Sequence, residues 1–351
     1  MKSKIIQKDI ESIISASEDY LCKLDGKKIL ITGGNGFIPS YIADTLVTFN
    51  RKLENPCKLI LLNKNPITDK SRLSHLLEDS NVKFIKQDVG KNFSVDWDPD
   101  IIIHAASRAN PSSFLEDPLD TIDANVKGVR TLLEYARKKP IDNFLFFSSA
   151  EIYGIPPRKF IPTSEDFSGN ANCLIARACY SESKRFAETL CSTFYRKYNI
   201  PVKILRIFHT YGPGLRDDGK VITDFFKDSI KNKKIELRDK GESQISFCYI
   251  SDSIKGILKV MEKGKNGEAY NIGDDSNCIP IKNLAKMIGK VVNNGTIVKI
   301  NNLTDYRDGF KIDKRMPDIT KLRSLGFAPK IGIIEGLQKM EEHYKETNYL
   351  G

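Results

Sequence analysis

Six short, mainly apolar runs set the limits on how this chain can fold. They are Ile29–Ile31, Leu59–Leu62, Val82–Ile85, Ile101–Ile103, Phe144–Phe147 and Val202–Leu205, and longer amphipathic stretches separate them. A strand with one wet face alternates polar and apolar residues. A strand covered on both faces reads as a nearly continuous apolar run. The pattern therefore predicts an α/β fold with a doubly wound parallel sheet. Asp123–Lys138 and Tyr180–Tyr198 read as two of the covering helices. Ile5, Ile6, Ile10, Ile13, Ile14 and Leu21 form an apolar stripe that predicts a helix ahead of the sheet. The texture changes near Gly212-Pro213-Gly214. The division expected is an N-terminal helical extension over 1–25, a dinucleotide-type domain over 26–211, and a smaller α/β substrate domain over 212–351. The last region has room to return a strand or helix to the first domain.

With 351 residues the chain can bury a large core. No run of eighteen apolar residues is present, so no membrane partner is expected. The seven cysteines are odd in number and form no Cys-x-x-Cys pair, which suits reduced thiols in the cytoplasm. The four histidines join no tight cysteine cluster, so no metal site is expected. The net charge of +10 is spread along the chain. It fits a diffuse basic surface or an anionic small substrate better than a nucleic-acid partner.

The first run leads into Thr32-Gly33-Gly34-Asn35-Gly36-Phe37-Ile38-Pro39, and a helical pattern follows. Gly33 permits a tight turn. Gly36 lets the backbone approach a pyrophosphate, which a helix N-terminus attracts. Placed between a buried strand and a helix, this loop predicts a Rossmann-type dinucleotide site. Pro39 stands where a third glycine is usual. A first helical turn tolerates proline because its N–H would lack a partner there. The second strand ends in Asn63-Lys64-Asn65 rather than in the acid that holds an adenosine ribose. Lys64 accommodates a 2′-phosphate, so NADP stays open beside NAD. Asp88 follows the third strand, either as an adenine-side contact or as a turn cap.

Tyr180 and Lys184 are four residues apart and share one helix face. An ammonium near a phenol favours the phenolate, which lets Tyr180 take a proton from a sugar hydroxyl. Ser148 and Ser149 close the fifth run, and Ser149 is placed to bind the reacting oxygen. Glu151 follows, either as a base for a second step or as a solvated loop carboxylate.

Together, Thr32–Ile38, His104-Ala105-Ala106, Asn125, Ser148–Gly154, Tyr180–Glu188, Arg206–Pro213, Phe247–Asp252 and Arg315–Phe327 resemble the extended short-chain dehydrogenases/reductases that act on nucleotide sugars. Arg177–Tyr180 with Lys184, Arg185 and Glu188 is most similar to UDP-glucuronate decarboxylases, relatives of the 4,6-dehydratases and 4-epimerases. The resemblance implies retained NAD, oxidation of the sugar at C4 and a second event. That event is decarboxylation, dehydration or re-reduction from the other face. It implies Ser149, Tyr180 and Lys184 as a triad, with Glu151 as an added acid/base. It also implies a cofactor site that includes Val89, Ala105, Ala106, Asn125 and Ser148. Arg108, His209 and Arg315 are implied substrate ligands, and a four-helix homodimer is implied too. Three departures divide the branches. Ala150 replaces a dehydratase aspartate, Ile245 an arginine, and His209 an asparagine. A dehydratase- or decarboxylase-like step, epimerisation, C4 reduction and dinucleotide binding without catalysis all stay open.

Overall fold

The computed structural model describes residues 3–217, 219–301 and 313–348. Its strands in chain order begin with β1 (Lys28–Thr32), β2 (Lys58–Asn63), β3 (Val82–Lys86), β4 (Ile101–His104), β5 (Asn143–Ser149) and β6 (Val202–Ile207). These are followed by β7 (His209–Tyr211), β8 (Lys234–Leu237), β9 (Gln244–Tyr249), β10 (Ala269–Ile272), β11 (Cys278–Pro280), β12 (Ile297–Ile300) and β13 (Lys314–Arg315). All six predicted runs enter one parallel sheet of order β10-β6-β5-β4-β1-β2-β3. The order reverses between β1 and β4, which opens a crevice beyond their carboxyl ends. β10 comes from beyond residue 212 and forms the sheet's edge against β6.

Helix Pro118–Lys138 starts five residues earlier than its apolar periodicity implies. Asp117 caps it by accepting from the Asp120 amide, and Pro118 supplies a first turn that needs no N–H partner. It packs on helix Ala178–Tyr198. That second helix buries Tyr180, Lys184, Ala187, Cys191 and Phe194, one every three or four residues. Tyr180 and Lys184 thus continue a core stripe, and this is why both are buried.

Helix Lys4–Cys22 is capped by Ser3, and its isoleucine stripe joins the main core. Its buried Asp9 accepts from the Tyr249 hydroxyl at 2.7 Å and meets Lys339 at 3.3 Å. The helix is therefore tied to β9 and to helix Ile333–Thr347. Beside the main sheet, β9 pairs with β11 on one edge and with β13 and β7 on the other. Ile245 stands between Ile279 and Arg315, and His209 opposite Phe247. Among the described residues, no helix is long and apolar enough to cross a membrane.

Candidate active site

The glycine loop sits at the crevice between β1 and β4. Gly33 has φ of +68°, and a Cβ there would lie 2.9 Å from Ala106 Cα. Only glycine suits that backbone. Gly36 caps helix Phe37–Phe49, and the first helical bond runs from Ser40 to its carbonyl. Pro39 falls in that first turn and loses no helical hydrogen bond. The Phe37 ring sits edge-on to Tyr41, and Ile38 packs against the core.

Three buried atoms around this groove, Asn35 Oδ1, Ser107 Oγ and Asn125 Oδ1, have no partner among the described residues. Buried polar atoms are nearly always paired, so this set fits a polar ligand such as a dinucleotide. Asn125 donates to Ser183 on the tyrosine helix at 2.9 Å, and Ala106 donates to Thr32 at 3.1 Å. Val89 is buried against Gly128. Asn63 accepts from the Asn35 amide at 2.8 Å, so its side chain props the loop. Asp88 both caps its own turn, through Gly90 at 3.0 Å, and pairs with Lys64 at 3.1 Å.

At the ends of β5 and β6 the structure gathers Ser149, Glu151, Tyr180, Lys184, His209 and Arg315. Tyr180 is stacked by Phe114, with ring centroids 5.1 Å apart, a neighbour that no motif announced. Burial pushes the tyrosine up to about 12, opposed by a hydrogen bond with Ser149. Lys184 donates to the Phe147 carbonyl at 2.6 Å, and its ammonium stands 5.9 Å from the Tyr180 ring. Burial weakens both charges, and Lys184 is itself driven down to about 7.

That shift has a stability consequence. The unfolded chain keeps the Lys184 proton up to its ordinary 10.5, whereas the folded chain releases it near 7. Stability therefore rises with pH across that interval, and below it the buried ammonium is a constant cost. Lys184→Met is expected to melt roughly 3 °C or more above the parent protein at pH 6. The gap should close by pH 10 in paired thermal scans. A gap independent of pH would show that Lys184 is not a buried, depressed amine.

Glu151 is no solvated loop carboxylate. Arg315 binds its Oε1, and Arg177 approaches its Oε2 at 3.6 Å. Burial alone would raise this carboxyl. Arg315 overrides it, with Arg177 assisting, and holds Glu151 down to about 2. His209 is kept neutral, down to about 4, by burial and by the Arg315 charge. Its Nδ1 is buried without a partner among the described residues.

The side chains of two expected site residues have partners within the chain. Ser148 donates to Glu188 at 2.5 Å, and Arg206 binds that same glutamate at 2.8 Å. Successive strand residues face opposite ways, so Ser148 turns from the site that Ser149 enters. Arg108 donates to Asp120 at 2.7 Å, at the start of helix Pro118–Lys138.

A glycine loop at a sheet's switch point and a buried Ser-Tyr-Lys set beside an arginine-held carboxylate define a dinucleotide-dependent enzyme of the α/β class. The family model described as "NAD dependent epimerase/dehydratase family" matches residues 29–273. The chain belongs to this family, whose description is NAD dependent. Curated relatives include UDP-glucuronic acid decarboxylase 5 of Arabidopsis thaliana, 33% identical over 91% of this chain and 89% of the relative. UDP-glucuronic acid decarboxylase 1 of Xenopus tropicalis is 30% identical over 93% of this chain and 74% of its own length. Among solved structures, UDP-glucuronic acid 4-epimerase from Bacillus cereus superposes with a TM-score of 0.76. It is 24% identical and covers 91% of this chain and 99% of its own.

Proposed function

We propose that this enzyme decarboxylates a nucleotide-diphosphate uronic sugar after oxidising it at C4. One observation carries the reading: Glu151 is held ionised between Arg315 and Arg177. Arg315 and Arg177 bring two guanidinium groups to one side of the site, a setting that suits a substrate carboxylate. A carboxyl held near 2 is no proton donor at neutral pH, and Ala150, packed against Phe208 and Tyr153, supplies none. Dehydration, which needs an acid for the departing hydroxyl, is therefore poorly served. The names of the curated relatives support the same substrate class.

The chemistry follows from these positions. The Gly33–Ile38 loop with Ala105, Ala106 and Asn125 would hold NAD, which would supply the hydride acceptor for the oxidation and the hydride for the closing reduction. Tyr180 takes the C4 hydroxyl proton while Ser149 hydrogen-bonds the same oxygen. Lys184 keeps a positive charge near the phenol as it ionises. The C4 ketone makes the C6 carboxylate part of a β-keto acid. The C5–C6 bond breaks, its electron pair passes into a C4–C5 enolate, and carbon dioxide leaves. C5 takes up a proton, and reduction of the ketone then restores the C4 hydroxyl. Glu151, fixed as an anion, favours departure of the neighbouring carboxylate as neutral gas, while Arg315 and His209 orient it.

We place the enzyme in the cytoplasm as a homodimer, with the substrate held mainly by residues 212–351. The seven free cysteines support that compartment. Phe186 and Leu119, exposed on the two packed helices, support that dimer face. Mass spectrometry of the product from UDP-glucuronate tests the reaction. The expected product is lighter by one carbon dioxide. An unchanged mass with inverted C4 would make the enzyme an epimerase, and loss of water would make it a dehydratase.

A further inference from the structure

Beneath the site, on the face of the sheet turned away from Ser149, lies a buried polar group that the chemistry above does not use. Ser148 and Arg206 stand opposite each other across β5 and β6, so their side chains share that face. Both reach Glu188, one turn beyond Lys184 on the helix that carries Tyr180. Ser148 donates to Glu188 Oε1 at 2.5 Å. Arg206 grips the same carboxylate through Nη2 at 2.8 Å and Nε at 3.1 Å. Its remaining nitrogen, Nη1, donates to the Tyr153 hydroxyl at 3.0 Å and to the Glu165 carbonyl at 2.7 Å. Tyr153 closes the short 3-10 turn Ala150–Tyr153, which carries Glu151, and donates in turn to Asn271 Oδ1 on β10 at 2.7 Å.

The pair is well covered, with side-chain exposures of 13% for Arg206 and 12% for Glu188. Apolar residues of similar size would hold these segments together as firmly, because taking two charges out of water offsets most of their attraction. What apolar residues do not supply is direction. A planar guanidinium with both of its edges bonded fixes the angles among everything it touches. One edge is tied through Glu188 to Ser148, the neighbour of Ser149, and Ser149 hydrogen-bonds with Tyr180 on the same helix. The other edge is tied to Tyr153, two residues from Glu151. Misplacing a reacting group by about 1 Å costs on the order of a hundredfold in rate, so such ties bear on turnover.

We propose that Arg206 is the common anchor of the two halves of the site: through Glu188 and Ser148 it positions Ser149 against Tyr180 for oxidation at C4, and through Tyr153 it positions Glu151 for release of carbon dioxide. The inference rests on the function proposed above and deepens it. Arg206, Glu188, Ser148 and Tyr153 are positioning residues, each acting through a neighbour.

Ser148→Ala and Tyr153→Phe each delete one hydroxyl and leave the Arg206–Glu188 pair in place. The holoenzyme of each is followed with UDP-glucuronate, protiated and deuterated at C4, by trapped carbon dioxide and by the absorbance of reduced nicotinamide. Ser148→Ala should turn over about tenfold more slowly, with hydride transfer limiting, so that deuterium slows it at least about twofold further. Tyr153→Phe should also lose about tenfold, but with no isotope effect and with reduced nicotinamide accumulating. Arg206→Lys keeps the charge and loses the planar fork, and it should slow both steps. A loss of stability alone would not split the two hydroxyl variants in this way. The anchor is overturned if the two show the same isotope effect and the same level of reduced nicotinamide, if either turns over within about twofold of the parent, or if Arg206→Lys matches the parent. A parent that releases no carbon dioxide overturns the proposed function and the anchoring of Glu151 with it, whereas an active parent with unsplit variants overturns the anchor alone.

Discussion

Tyr180→Phe is expected to keep its bound dinucleotide and lose turnover by about three orders of magnitude. The ring occupies a core position of its helix and stacks on Phe114, and phenylalanine preserves both contacts. What disappears is the hydroxyl that hydrogen-bonds with Ser149. Burial drives the phenol up to about 12, so proton transfer needs help from Ser149 and the Lys184 charge. The loss should fall on kcat, because the hydroxyl acts on the reacting oxygen and contributes little to holding the nucleotide. Stopped-flow absorbance and product assay check this. A variant that turns over within tenfold of the parent would reduce Tyr180 to a packing residue.

Glu151→Gln should separate the two halves of the reaction. Oxidation at C4 depends on Tyr180 and Ser149, and it should persist. Carbon dioxide release should fall by about a hundredfold or more, so reduced dinucleotide and a 4-keto sugar accumulate. The substitution also strands Arg315, only 5% exposed, without its carboxylate. Breaking such a pair costs roughly 3–5 kcal/mol when fully buried, and somewhat less here because Glu151 keeps 21% of its side-chain surface. The pair's contribution is present above the ordinary carboxylate value of 4.5 and is lost as pH falls toward about 2. Arg315→Met should stop carbon dioxide release as well and raise KM for a uronic substrate. Unimpaired release from either variant would remove the cluster from the chemistry.

Much of the fold was legible because burial on both faces writes itself as continuous apolar runs. β10 was not, because Ala269–Ile272 is short and mixes polar Asn271 into an edge strand. The early start of helix Pro118–Lys138 carried a local signal in Asp117-Pro118, outweighed by an apolar period that begins later. In the site, Tyr180 and Lys184 were legible because four residues make one helix face. The Glu151–Arg315 pair spans 164 positions, and only the folded chain brings β13 beside β9 and toward that glutamate. Ser148 and Ser149 look equivalent in sequence, and the alternation of strand β5 sends them to different partners. Lys64 and Arg108 read as free cations because Asp120, their shared partner, lies 56 and 12 residues away.

The most direct test of the central claim follows the carboxyl carbon. The purified enzyme is incubated with NAD and UDP-glucuronate labelled at C6, and the released gas is trapped and counted against the nucleotide sugar formed. One labelled carbon dioxide for each pentose product is the predicted result. Conversion of the substrate with all of the label still on the sugar would contradict the account.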